Sequence, residues 1–152
     1  MENSFCWCIA FTIDEDALES LLREGEMGGY RDPEPWWVAA DLLADAQAAG
    51  QRFMALLIGA RSKRVLRWAE VREIEVHALA SRRETRVRFS RSEEMNPIFA
   101  ELDAITLRPA EHVLERERRE DLRPRRLHLD ASWLSSYAIC ETPACLNPAA
   151  PN

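Results

Sequence analysis

Four cysteines are the residues with the most distinctive metal-binding chemistry in this sequence. Cys6 and Cys8 would share one face of a strand, and Cys140 and Cys145 lie near the other end of the chain. First and last strands often pair, which would bring the four thiols together, and four thiolates suit a tetrahedral zinc ion. The spacings differ from the usual Cys-x2-Cys pattern, however, and reduced cysteine commonly packs in cores. We therefore expect core packing and no metal or cofactor, with zinc binding as the alternative.

Aromatic residues beside a Gly/Pro-rich loop are candidates for a binding pocket. Tyr30, Trp36 and Trp37 lie in or next to this loop, which covers residues 25–35, and Trp133 precedes the last predicted strand. Such side chains can stack on a nucleobase, which stabilises binding by about 1 to 3 kcal/mol per base. They can equally cover a hydrophobic core. The predicted ligand-binding residues are these aromatics and two arginines for phosphate: Tyr30, Trp36, Trp37, Trp133, Arg31 and Arg64.

The other two tryptophans lie in strand patterns. Trp7 and Trp68 alternate with neighbouring residues as strand side chains do, so both are expected in the core.

The sequence carries no catalytic motif. None of the three histidines lies three or four residues from another, so they form no helical metal pair. The serines between residues 132 and 136 lack the flanking glycines of a nucleophile elbow. These observations favour a binding module over an enzyme.

Charge is distributed unevenly along the chain, which has a net charge of −6. Residues 1–60 carry three arginines and eleven acidic groups, whereas residues 61–126 carry 17 basic and 13 acidic groups. Lys63 is the only lysine, which is typical of a GC-rich, bacterial-type genome, and the arginines could alternatively form a phosphate-binding face. The net negative charge argues against strong nonspecific binding to duplex DNA. The acidic N-terminal third would suit a basic protein partner, through Asp14, Glu15, Asp16, Glu19 and Glu24.

Length and hydropathy bound the class of protein. The 152 residues fit one domain, expected over residues 1–146, with a frayed tail at 147–152. No apolar run approaches the roughly 18 to 20 residues that span a bilayer, and the first residues lack the basic and apolar parts of a secretory signal. We therefore expect a cytoplasmic protein with reduced cysteines and no membrane contact.

Apolar periodicity predicts the elements that position these residues. A strand at 4–12 is apolar on both faces, and Thr12 with Glu15 has the spacing of a helix capping box. A long strand at 65–79 changes phase near Glu70, which indicates a bulge. The remaining predictions are helices starting at 15, at 36–49 and at 96–102, strands at 53–59, 85–90, 104–107, 127–129 and 136–140, and a helix or an exposed excursion at 110–122.

Three stretches of this chain occur in an order found in a known superfamily. The strand pair at 53–60 (FMALLIGA) and 65–76 (VLRWAEVREIEV) is followed by 85–89 (TRVRF) and by a closing 137–143 (YAICETP). Together they resemble the PUA-like superfamily, in particular its EVE- and ASCH-type domains. The resemblance implies a PUA-like β-barrel that binds nucleic acid, with a modified base enclosed by aromatic side chains in some EVE-like members.

We therefore expect an α+β fold, with a small, strongly bent antiparallel sheet or PUA-like barrel and helices packed on it. The first functional hypothesis is a nucleic-acid or nucleotide binding module that recognises a base, possibly modified, in an aromatic pocket. The alternative is an immunity- or antitoxin-like protein-interaction module that binds a basic partner through its acidic N-terminal surface. A small hydrolase is a third hypothesis, and it would need a carboxylate and a cation converging in a cleft.

Overall fold

A six-stranded mixed sheet organises the protein. The computed structural model describes residues 7–24, 29–122, 126–130 and 136–146. Its strands and α-helices, in chain order, are β1 (Trp7–Ile13), α1 (Glu15–Arg23), β2 (Tyr30–Asp32), α2 (Trp37–Ala48), β3 (Met54–Gly59), β4 (Val65–Leu79), β5 (Arg82–Glu94), α3 (Glu111–Glu120) and β6 (Ala138–Glu141). No helix in these ranges is long and apolar enough to cross a membrane.

The sheet curls into a half-barrel with the strand order β2-β5-β4-β3-β1-β6. This confirms the predicted α+β class and the bent sheet. The predicted antiparallel pairing does not extend to the whole sheet, because β1 and β3 pair in parallel, with Ile9 opposite Ala55. The connection between them carries α1, β2 and α2, which gives the chain the length that a parallel crossover needs.

Both faces of the sheet are buried around β1 and β3, which explains why nearly all the residues of these two strands are apolar. On β1, Ile9 and Phe11 face a cluster covered by α1 and α2. Cys8 and Ala10 face a second cluster covered by residues 95–107, together with Leu129 and Leu146. The strand therefore lies between two hydrophobic cores.

The first turn of α1 differs from its predicted capping box. Asp14 is the N-cap, and its carboxylate accepts hydrogen bonds from the backbone N–H groups of Asp16 and Ala17 at 3.0 and 3.2 Å. Thr12 cannot cap this helix because β1 stays extended through Ile13. Glu15 instead accepts backbone hydrogen bonds from Arg61 and Ser62, so it fastens the β3–β4 turn to α1.

Strand β4 has the predicted bounds, and its register shifts between Glu70 and Glu73, which confirms the bulge. Strand β5 is longer than predicted, but Thr85, Val87 and Phe89 are buried in the expected alternation.

Several weaker predictions correspond to shorter elements. The helix predicted at 96–102 is replaced by two 3₁₀ turns, Pro97–Phe99 and Leu102–Ala104. The short strands at 104–107 and 127–129 form only isolated bridges, in which Thr106 pairs with His128 and Leu107 with Cys140. Strand β2 lies inside the predicted loop at 25–35 and was not predicted.

Candidate ligand cleft

Trp36 is a core residue. It is fully buried, and its ring lies 5.4 Å from that of Phe11 and 4.7 Å from that of Tyr137. Its indole N–H donates to Asp32 at 3.3 Å. No face of this ring is open to a ligand.

Of the predicted pocket residues, Tyr30 does pack beside Trp36, with the ring centroids 6.1 Å apart, but it lies against the same hydrophobic cluster and not in an open pocket. Tyr30 packs on Phe11 and donates its hydroxyl to the Thr12 carbonyl at 3.4 Å. Its partial burial raises the pKa of the phenol. Trp37, the next residue after Trp36, is exposed to solvent. Trp133 lies outside the described residues.

The two predicted phosphate ligands lie on different elements and each has an acidic neighbour. Arg31, on edge strand β2, is 4.0 Å from Glu84. Arg64 precedes β4 and is 2.9 Å from Glu101. The structure therefore does not assemble the predicted site as one pocket.

The cysteines are brought together only in part. Cys8 on β1 lies directly opposite Cys140 on β6, and both are fully buried. Burial raises the pKa of Cys140 to about 12, and burial together with the neighbouring Cys140 raises the pKa of Cys8 well above its ordinary value. Cys145 is exposed, and Cys6 lies outside the described residues. Among the residues that the structure describes, no three potential metal ligands form a group.

A different aromatic residue lines an open cleft. Trp7, the first residue of β1, is half-buried, and the guanidinium of Arg108 lies over its ring at 5.1 Å from the centroid. The cleft beside this pair has a volume of about 720 Å³ and lies against α3. Its other lining residues are Glu111, Leu114, Glu117, Arg118, Leu122, Arg126 and Glu141.

The sheet edge holds Arg108 in position. Its backbone N–H donates to the Ile139 carbonyl at 2.9 Å, next to the bridge between Leu107 and Cys140. Its side chain then reaches Trp7 on one side and donates to Glu111, at the start of α3, at 3.0 Å. Arg108 thus joins the edge of the sheet to the helix.

Helix α3 has no fully buried residue. Ion pairs therefore provide much of its attachment to the rest of the protein. Arg126 donates to Glu117 at 3.0 Å and lies 3.8 Å from Glu141. Leu114 is only half-buried. A helix that packs so lightly leaves room for the cleft beneath it.

The arginines of the cleft differ in how strongly they are paired. Arg108 and Arg126 are each about three-quarters buried or more and hydrogen-bonded to a glutamate. The side chain of Arg118 is 66% exposed and lies 3.9 Å from the carboxylate of Glu111. Arg118 is therefore the cation best placed to exchange its partner for an incoming anion.

Trp7 is predicted in the core, but it is half-buried and lines the cleft, and Arg108 is not among the predicted site residues. Strand alternation correctly pairs Trp7 with the other inward positions of β1, but periodicity does not say that the end of the strand lies at a cleft. No sequence signal connects residues 7 and 108, because their contact depends on the pairing of β1 with β6.

Comparison of the chain with protein-family models, curated proteins and solved structures gave no match. The resemblance to the PUA-like superfamily stays a prediction.

Proposed function

We propose that this protein is a binding module for a nucleotide or for a base of single-stranded nucleic acid, and that the cleft beside Trp7 holds the ligand. The observation that carries the proposal is the Arg108 guanidinium over the Trp7 ring at 5.1 Å, in the wall of a cleft of about 720 Å³. This volume lies within the roughly 300 to 1,000 Å³ typical of small-molecule sites.

The aromatic part of the ligand would pack against the Trp7–Arg108 pair. Nucleobases stack on indole rings and on guanidinium planes alike, and these contacts tolerate any base because every base has a π-face. Leu114 and Leu122 would contribute apolar contact from α3. The cleft therefore supplies the kind of surface that was expected of Tyr30 and Trp36.

The charged groups of the cleft suit the rest of a nucleotide. Arg118 would bind the phosphate, because its guanidinium is exposed and weakly paired. The carboxylates of Glu117 and Glu141 would accept hydrogen bonds from the amino or imino groups of a base. Since acidic and basic groups are balanced in the cleft, a small ligand fits it better than the continuous phosphate backbone of a duplex.

Isothermal titration calorimetry with the four ribonucleoside monophosphates and short single-stranded RNA and DNA tests the proposal. Trp7→Leu keeps apolar volume but removes the stacking ring, and Arg118→Ala removes the phosphate contact. Arg116→Ala is the matched control, since Arg116 is as exposed as Arg118, at 66%, on the same helix but does not line the cleft.

We expect binding to at least one of these ligands, a loss of about tenfold or more in Trp7→Leu, and weaker binding in Arg118→Ala than in Arg116→Ala. The proposal is overturned if the wild-type protein binds none of the ligands. It is also overturned if the Trp7→Leu and Arg118→Ala variants, shown by circular dichroism to be folded, bind as tightly as wild type.

A further inference from the structure

The solvent side of α2 carries exposed apolar residues next to two aspartates that form no ion pair within the described residues. Trp37 is 55% exposed and Val38 49% exposed, whereas Ala39 and Leu43 face the core. Apolar residues exposed singly are ordinary on protein surfaces, whereas contiguous exposed apolar residues are candidates for an interaction site. We call Trp37, Val38, Asp41, Ala44 and Asp45 the α2 surface.

The α2 surface continues into an apolar cleft at the β6 edge of the sheet. This cleft has a volume of about 550 Å³, and Val38 belongs to both. Apolar side chains form much of its wall, and among them are Leu107, Pro109, Leu129, Tyr137 and Ile139. Three charged residues, Arg108, Glu111 and Asp130, line it as well. Most of the surface of a side chain that enters beside Val38 would be removed from water. This desolvation is what stabilises an anchor residue at an interface.

Charge indicates what kind of partner fits. Asp41 and Asp45 form no ion pair with any residue that the structure describes, and α2 contains no basic residue. Over residues 7–24 and 29–60 the chain carries nine acidic side chains and three arginines. An anionic surface of this kind attracts cations and repels acidic proteins.

Of the five acids expected to form this partner surface, all but Glu24 have a side-chain contact within the described part of the protein. Asp14 caps the helix and Glu15 holds the β3–β4 turn. Asp16 lies 3.8 Å from Arg61, and Glu19 lies 3.6 Å from Arg23. Asp41 and Asp45 differ from these acids in lying beside the exposed Trp37 and Val38 and in forming no ion pair with a described residue.

We propose that the α2 surface docks a basic segment of another protein. An apolar side chain of that segment enters the cleft beside Val38 and packs against Trp37. Flanking lysines or arginines pair with Asp41 and Asp45. The two clefts share Arg108 and Glu111, but this interaction goes beyond the nucleotide cleft, because neither Trp37 nor Asp41 lines that cleft.

Selection of short random peptides displayed on phage tests the proposal without a known partner. Peptides are enriched on the wild-type protein and depleted on a double variant, Trp37→Ser with Asp41→Lys, and enriched sequences are then synthesised. Their affinities are measured by fluorescence anisotropy at low and high salt. Ile98→Ser is the matched control, since Ile98 is 74% exposed and belongs to the segment covering the opposite face of the sheet.

We expect enriched peptides that carry an apolar residue between lysines or arginines. Their affinity should fall by about tenfold or more in Trp37→Ser, weaken with added salt, and stay unchanged in Ile98→Ser. The proposal is overturned if nothing is enriched, if the peptides lack basic residues, or if they bind Trp37→Ser as well as wild type. It is equally overturned if light scattering shows that the protein self-associates through Trp37, since a second copy would then be the occupant.

Discussion

The indole N–H of Trp36 donates a hydrogen bond to the carboxylate of Asp32 at 3.3 Å, inside the core between α2 and the sheet. The backbone N–H of Trp36 also donates, to the Thr85 hydroxyl at 2.9 Å, and that hydroxyl donates to the Glu34 carbonyl at 2.6 Å. These bonds tie the start of α2 to β2 and β5. A residue whose type and position suggested ligand binding thus fixes the helix on the sheet.

Replacement of Thr85 should show how much this network stabilises the fold. Thr85→Val keeps the shape but leaves the Trp36 N–H without its acceptor in a fully buried position, so the free energy of unfolding should fall by about 1 to 3 kcal/mol. Thr85→Ser keeps the hydroxyl and loses one methyl group, which should cost about 1 kcal/mol. Urea denaturation measures both. A Thr85→Val protein as stable as wild type would contradict the role of the hydroxyl.

Glu15 should make stability depend on pH. Hydrogen bonds from the backbone N–H groups of Ser62 and Arg61, with the charge of Arg61, hold the pKa of Glu15 below its ordinary value of 4.5. A lowered folded-state pKa stabilises the protein fully above pH 4.5, and this contribution is lost as the pH falls through the folded-state pKa. Glu15→Gln should therefore be less stable than wild type at pH 7, with the difference shrinking below pH 4.5.

Chemical denaturation of both proteins across this pH range measures the effect. Glu19→Gln is a suitable control, because Glu19 lies on the same helix and contacts only the exposed Arg23 among the ion pairs found. A constant difference between wild type and Glu15→Gln from neutral to acidic pH would contradict the proposed linkage.

The buried thiols should resist alkylation. With a pKa of about 12, Cys140 has a thiolate fraction of roughly one in ten thousand at pH 8. The raised pKa and full burial of Cys8 act in the same direction. Among the three cysteines that the structure describes, iodoacetamide should therefore modify the exposed Cys145 first in the native protein, and Cys8 and Cys140 only after denaturation. Peptide mass spectrometry over time distinguishes the sites, and rapid native labelling of Cys140 would refute the expectation.

The alternation of apolar and polar residues predicted the bounds of an element well where it extends over many residues. Strand β4 has the bounds predicted from its period, and the phase change at Glu70 marked the bulge, because both are properties of consecutive residues. Strand β2 was not predicted, because its three residues, Tyr30–Asp32, are too few to show the alternation of apolar and polar side chains. They also lie in a segment rich in glycine and proline.

Pairing and exposure were harder to predict than the elements. That β1 is apolar on both faces indicates an interior strand, but it does not give the parallel direction of its neighbour β3. Trp36 and Trp37 are consecutive and of one type, so only the rotation of α2 decides that the first is buried and the second exposed. The Trp7–Arg108 contact likewise depends on which segments meet at the β6 edge.

The position of β1 between β3 and β6 has a consequence for synthesis of the chain on the ribosome. One edge of β1 can pair with β3 once residues 54–59 have been synthesised, but the other edge cannot pair with β6 before residues 138–141 have been synthesised. Through most of translation, a strand apolar on both sides therefore keeps an open row of backbone donors and acceptors. A nascent chain stalled before residue 138 would expose the unpaired edge of β1, and such an edge can form hydrogen bonds with a strand of another chain.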